Sequence, residues 1–149
     1  MSTASDLGSI RESVKQLCES YGEDYWLELD RTRGFPTAFV KELTDSGFLT
    51  VLIPEEYGGA GLGVVEASVV MEQVCRSGAH AGACHAQMYV MGSVLRHGSE
   101  AQKQYYLPKI AAGELRLQSF GVTEPTTGTD TTSLKTFARR DGDDYVVNG

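Results

Sequence analysis

The sequence predicts a mostly α chain: a bundle of amphipathic helices, followed by the first strands of a β unit that these residues leave incomplete. Three observations predict it. Apolar residues recur at three- and four-residue steps through most of the first 112 positions, the period of helices with one buried face. After Gly113 the pattern changes, and Leu115, Leu117, Phe120 and Val122 give an extended, apolar lead-in to a turn dense in hydroxyls. The last stretch reads as strand, turn and strand, with Leu134 to Arg140 and Tyr145 to Gly149 flanking Asp141-Gly142-Asp143-Asp144.

Ile10, Val14, Leu17, Cys18 and Tyr21 describe a first helix that ends near Gly22. Asp24 to Arg33 reads as a charged connector pinned by Trp26 and Leu27. A second helix is expected from about Pro36 to Ser46, because proline suits a first turn, Phe39, Val40 and Leu43 make one face, and Gly47 suits the C-terminal cap. Phe48 to Ile53 is a short apolar run before Pro54. The glycines at 58, 59, 61 and 63 then form a close-packed loop, and since no Gly-Lys-Ser/Thr follows, it reads as a tight connection rather than a nucleotide loop.

Val64 to Cys75 and Ala81 to Leu95 are the most apolar helical segments. On the second, Ala81, His85, Met88, Tyr89 and Gly92 share a face, which suits either core packing or contact with a ligand. Ser99-Glu100-Ala101-Gln102 is a capping box that starts a helix running to about Ala112, with Pro108 marking a late kink or end and Gly113 closing it. His80 and Cys84 stand four apart, yet no second ligand pair lies near them and a structural zinc site needs about four ligands, so no metal is expected.

An apolar fraction of 41% with 22% charged residues is that of a globular protein rather than a disordered one. The formal net charge of −7 argues against a general nucleic-acid binder. Cys18, Cys75 and Cys84 are odd in number and widely spaced, which suits reduced thiols better than a disulfide framework. No apolar run reaches the roughly 20 residues that span a bilayer, and the first ten residues lack a signal-peptide pattern, so a cytoplasmic location is expected.

The chemistry concentrates in Phe120-Gly121-Val122-Thr123-Glu124-Pro125-Thr126-Thr127-Gly128-Thr129-Asp130. Pro125 stops a helix, and Gly128 offers a backbone freedom that a Cβ would hinder. Thr126, Thr127, Thr129, Thr131 and Thr132 offer hydroxyl donors, and successive turn amides form a concavity suited to phosphate. For any one of these threonines, stabilising the turn itself is the other reading.

The same residues, Phe-Gly-Val-Thr-Glu-Pro followed by Gly-Thr-Asp, resemble the flavin-binding signature of the acyl-CoA dehydrogenase family. Ile53-Pro54-Glu55-Glu56-Tyr57-Gly58-Gly59-Ala60-Gly61-Leu62-Gly63 is similar to that family's glycine-rich turn, and Tyr106-Leu107-Pro108-Lys109-Ile110-Ala111-Ala112-Gly113-Glu114 to the helix end before its signature. The three matches come in the right order and spacing, and together with the intervening helices the resemblance covers nearly the whole chain. Two residues depart from the family pattern: Thr127 stands where Ala, Gly or Ser is usual, and Thr129 replaces the commoner Ser.

The resemblance implies an N-terminal helical domain over 1–114 and the start of a β-barrel-like middle domain over 115–149, which in the family continues and is followed by a second helical bundle. It implies FAD as cofactor. Phe120 would pack near the isoalloxazine, Val122 would offer backbone polar atoms, the Thr123 hydroxyl would bond near the reactive ring edge, and Gly128 and Thr129 would approach the pyrophosphate. Thr129 would also reach the CoA portion, and His85 and Tyr89 would contact the acyl substrate. The implied reaction belongs to fatty acid metabolism: an acyl-CoA is oxidised to the trans-2-enoyl-CoA, a glutamate removes the α-proton, and an electron-transferring flavoprotein takes the electrons.

In the family that glutamate comes from the C-terminal domain, so none is assigned here: neither Glu114 nor Glu124 is taken as the base, and Glu124, inside the signature, is read as structural. The chain alone is therefore expected to be inactive and at best a weak flavin binder, with a full-length homo-oligomer, a dimer or tetramer, as the working form. The scaffold is shared with acyl-CoA oxidases and nitroalkane oxidases. A non-catalytic helical interaction module, binding a related subunit through unpaired sheet edges, is the alternative reading.

Overall fold

A computed structural model describes residues 4–119 and 121–149. They form two compact units, Met1–Ser119 and Phe120–Gly149. The first is helical: α1 (Ala4–Glu19), α2 (Glu23–Thr32), α3 (Thr37–Asp45), α4 (Val64–Arg76), α5 (Gly82–His97) and α6 (Glu100–Ala111), with single 3-10 turns at Phe48–Thr50 and Glu55–Tyr57. The second holds a 3-10 turn at Thr131–Ser133 and an antiparallel hairpin, β1 (Phe137–Asp141) and β2 (Asp144–Asn148).

Periodicity explains the helical core. Val14, Leu17 and Cys18 of α1, Phe39, Val40 and Leu43 of α3, and Ala67, Val70 and Val74 of α4 fall on inward faces and make one buried cluster with Leu49, Val51, Cys84 and Met88. A second cluster joins Ile53, Met91, Leu107 and Ile110. α5 serves both, through Met88 in one and Met91 in the other.

The charged connector is in fact α2. Glu23 and Asp24 occupy its first turn and Arg31 its last, the arrangement that complements a helix dipole. It buries no residue fully, so its charges hide the period. Trp26 anchors it: its indole N–H donates to the Tyr21 carbonyl at 2.9 Å and its ring stands edge-on to Phe39. Leu27 does not, being 41% exposed.

The glycine-rich loop folds back on the segment before it. Gly59, Gly61 and Leu62 donate their amides to the carbonyls of Pro54, Ile53 and Val51. Those donors are spent on main chain, which suits a tight connection.

The Ser99 capping box forms as its sequence predicts. The Gln102 amide donates to Ser99 Oγ at 3.2 Å, and the Ser99 amide to Gln102 Oε1 at 2.8 Å. Ser99→Ala is expected to cost about 1 kcal/mol, read as a lower midpoint in chemical denaturation with an unchanged m-value. α6 passes through Pro108 and ends at Ala111, with Gly113 in the left-handed region at φ +74°.

Beyond it, residues 114–119 enter no ladder, although the alternation is real. Leu115 and Leu117 pack on the second cluster, while Arg116 and Gln118 both donate to the Ala83 carbonyl of α5, at 3.2 and 2.6 Å. The period-2 pattern thus serves a side-chain clamp. In the other unit, β1 and β2 pair Phe137 with Asn148 through Asp141 with Asp144, around Gly142 at φ +64°. Every residue of the hairpin is exposed.

Candidate functional site

The hydroxyl-rich turn is built by two carboxylates. The Glu124 and Thr127 main chains exchange both hydrogen bonds, 2.9 and 3.1 Å, which puts Pro125 and Thr126 at a tight tip. The Glu124 carboxylate then reaches forward and accepts from the amides of Lys135 and Thr136 at 2.8 and 2.7 Å. The Thr136 hydroxyl and these amides hold its pKa below the usual carboxylate range. The first residues assigned to the strand from Leu134 are therefore taken up by Glu124, and β1 starts only at Phe137.

Asp130 shapes the next corner. It caps the Thr131–Ser133 turn by accepting from the Thr132 amide, the Thr132 hydroxyl and the Ser133 hydroxyl. The Ser133 and Thr132 hydroxyls keep its pKa low, so it stays ionised at neutral pH.

Of the five threonines read as hydroxyl donors, two are spent within the turn. Thr127 is buried and its hydroxyl donates to the Ser133 carbonyl at 3.4 Å, while that of Thr132 donates to Asp130 at 2.5 Å. The departure from Ala, Gly or Ser at 127 thus supplies an internal brace. Thr129 and Thr131 are exposed, as is Thr123. Among the described residues, the amides of Gly128, Thr129 and Asp130 meet no protein acceptor.

Gly128 has a different reason from the one its sequence suggests. Its φ lies outside the left-handed region, and an added Cβ would meet only Thr123 Cγ2, at 3.9 Å. The fold does not require glycine there; its missing side chain leaves open space beside Thr123 and the unengaged amides. Within this unit Val122 is half-buried at the start of the same turn. Phe120, expected beside the flavin ring, lies outside the described residues.

In the helical unit, the shared face of α5 is split. Met88 is buried, but His85 and Tyr89 are exposed and stack edge-to-face, with ring centroids 4.8 Å apart. Core packing does not account for either ring. Cys84, one residue away, is fully buried, and burial pushes its thiol up to about 12. His80 accepts the Ala83 amide on Nδ1 as a cap of α5. Those three side chains therefore face different surroundings, and among the described residues no three could hold a metal ion. Also among them, no helix is long and apolar enough to cross a membrane.

Two positioning devices escaped the sequence reading: the Glu124 carboxylate on Lys135 and Thr136, and the Arg116 and Gln118 clamp on Ala83. The alternation Leu115-Arg116-Leu117-Gln118 signalled the second; the first spans eleven residues and has no local signal.

The model of the acyl-CoA dehydrogenase N-terminal domain matches residues 5–114. The acyl-CoA dehydrogenase FadE12 of Mycobacterium tuberculosis is 34% identical over 142 residues, covering 95% of this chain and 36% of the relative. Among solved structures, an acyl-CoA dehydrogenase from Geobacillus kaustophilus superposes with a TM-score of 0.82 at 27% identity over 99% of this chain and 39% of its own. An acyl-CoA dehydrogenase complexed with FAD from Bacillus anthracis gives 0.77 at 30% identity over 99% and 26%. The chain thus spans about a third of the length of such relatives.

Proposed function

Because the chain belongs to the acyl-CoA dehydrogenase family, we propose that it supplies the N-terminal helical part and the flavin-gripping turn of an FAD-dependent enzyme that oxidises an acyl-CoA to the trans-2-enoyl-CoA. The observation that carries this reading is the turn at residues 122–133. Glu124 and Asp130 fold it from within, leaving the Gly128, Thr129 and Asp130 amides and the Thr123 and Thr129 hydroxyls for a ligand.

That donor set fits a pyrophosphate. Each amide and hydroxyl offers a hydrogen to an anionic oxygen, and the bare Gly128 lets a phosphate approach the main chain. The ionised Asp130 would repel it, an effect tempered by the three donors that already engage the carboxylate. When bound, FAD supplies the acceptor for the two electrons of the oxidation. The residues of this chain would bind and orient it: Thr129 and Gly128 at the pyrophosphate, Thr123 and Val122 near the ring, with Phe120 assigned to the ring by the family resemblance alone.

His85 and Tyr89, exposed along α5, form the wall along which the acyl chain lies. No carboxylate of these 149 residues is placed as the α-proton base, since Glu124 is committed to two amides. The reading assigns that base, the remaining β-domain and the subunit contacts of a homo-oligomer to residues outside this chain, with an electron-transferring flavoprotein as acceptor.

The test is an equilibrium titration of FAD followed by flavin fluorescence, which detects weak binding that a column would strip. Saturable quenching is expected, weakened about tenfold by Thr129→Val or Thr123→Val, the value of one hydrogen bond to a charged or polarised group. Absence of saturable quenching, or quenching indifferent to both variants, would overturn the assignment of this turn.

A further inference from the structure

We propose a second anion site, in the helical unit, that takes a phosphate-sized oxyanion against Arg116. It lies in a cleft of about 210 Å³ lined by Phe35, Thr37, Lys41, Asp45 and Arg116 among others, between the start of α3 and the segment after α6. Every one of these residues belongs to the helical unit.

Arg116 carries the inference. Its guanidinium sits 5.3 Å from the centroid of the Phe35 ring and donates from one terminal nitrogen to the Ala83 carbonyl, a neutral acceptor. Its Nε is buried and has no hydrogen-bond partner among the described residues. Nor does any carboxylate among them pair with it. Arg116 is half-buried, and a partly desolvated guanidinium without a counter-ion leaves part of its desolvation cost uncompensated. Burial accordingly lowers the pKa of this group, the direction an adjacent anion would reverse.

The rest of the cleft has matching polarity. α3 starts there without an acidic residue in its first turn, although the Thr37 amide already donates to the Phe35 carbonyl at 2.7 Å and the Phe39 amide to the Tyr25 hydroxyl at 3.4 Å. The Thr37 hydroxyl at that end donates to the Phe35 carbonyl at 3.4 Å and would have to turn to meet an anion. Lys41 stands on the same wall, held by its ion pair with Asp45. Arg116 and Lys41 against Asp45 leave one net positive charge in a volume that admits one phosphate group. Planar, forked Arg116 suits the oxygens of phosphate better than a point charge would.

The experiment is calorimetric titration of the full chain with inorganic phosphate at constant ionic strength, repeated with adenosine 5′-monophosphate. Saturable binding is expected, weakened at least tenfold by Arg116→Gln and measurably by Lys41→Met, while Thr129→Val leaves it unchanged. The Lys41 variant keeps the test valid if Arg116→Gln unfolds, since the Lys41 side chain is 72% exposed. Tighter binding of the nucleotide would identify a nucleotide as the source of the phosphate, and equal binding the free ion. Lack of saturable binding by both anions, binding indifferent to Arg116→Gln and Lys41→Met, or binding abolished by Thr129→Val instead would overturn the proposal.

Discussion

Gly59→Ala is expected to destabilise the helical unit by about 3 kcal/mol or more, a large share of the 5–15 kcal/mol typical of folded proteins. A Cβ at this position would lie 2.1 Å from the Ile53 carbonyl oxygen and 2.4 Å from Ile53 Cβ. Neither neighbour can yield. The Ile53 carbonyl accepts the Gly61 amide at 2.8 Å, and its side chain is fully buried in the second apolar cluster. Relief would require lifting the whole loop and breaking the bonds from Gly59, Gly61 and Leu62 to the preceding segment. Gly92→Ala supplies the contrast, because nothing lies within 4 Å of its added Cβ and it sits inside α5. That change should stabilise by up to about 1 kcal/mol through helix propensity. Thermal or urea denaturation of the pair decides it: a Gly59→Ala loss below about 1 kcal/mol would mean that the loop slides off Ile53 freely.

The same glycines show what was legible in the sequence. The helices with buried faces were readable, because Val14, Leu17 and Cys18, or Phe39, Val40 and Leu43, repeat at the helical period and end in the core. The Ser99 box and the Gly47 and Gly113 caps were readable for a local reason: each is decided within four residues. α2 was hidden because Tyr25, Trp26 and Leu29 are only half-buried and charges crowd the rest of it. At the turn, sequence alone could name the threonines but not divide them. Thr127 and Thr132 differ from Thr123 and Thr129 only through partners that the fold brings in, the Ser133 carbonyl and the Asp130 carboxylate. The purpose of Gly128 was misread for a similar reason: conformational freedom and open space look alike in a sequence, and φ separates them.

Glu124→Gln is expected to weaken FAD binding by at least tenfold while leaving the helical unit folded. The two oxygens of the carboxylate receive one amide each, from Lys135 and Thr136. Glutamine can accept only one of those bonds, and its own NH₂ would then face the other donor. The tip at Pro125 and Thr126 keeps its main-chain pair, but the segment leading to β1 loses its tether, and with it the placement of Gly128 and Thr129. Hydrogen exchange locates the effect: the Lys135 and Thr136 amides should exchange faster in the variant, whereas the amides of α4 should not. The pH dependence follows the same bond. The pKa of Glu124 is depressed in the folded chain, so its contribution is present above the ordinary glutamate value of about 4.3 and disappears as pH falls through the lower folded value. Wild-type protection at Lys135 and Thr136 should therefore persist at pH 5 and collapse only below the usual carboxylate range, while the Gln variant shows no such step. Asp130 titrates in the same direction, and the Thr132 amide reports it separately. If protection at Lys135 and Thr136 is the same in both proteins at pH 7, Glu124 does not hold the turn, and the flavin site must be fixed by groups outside it.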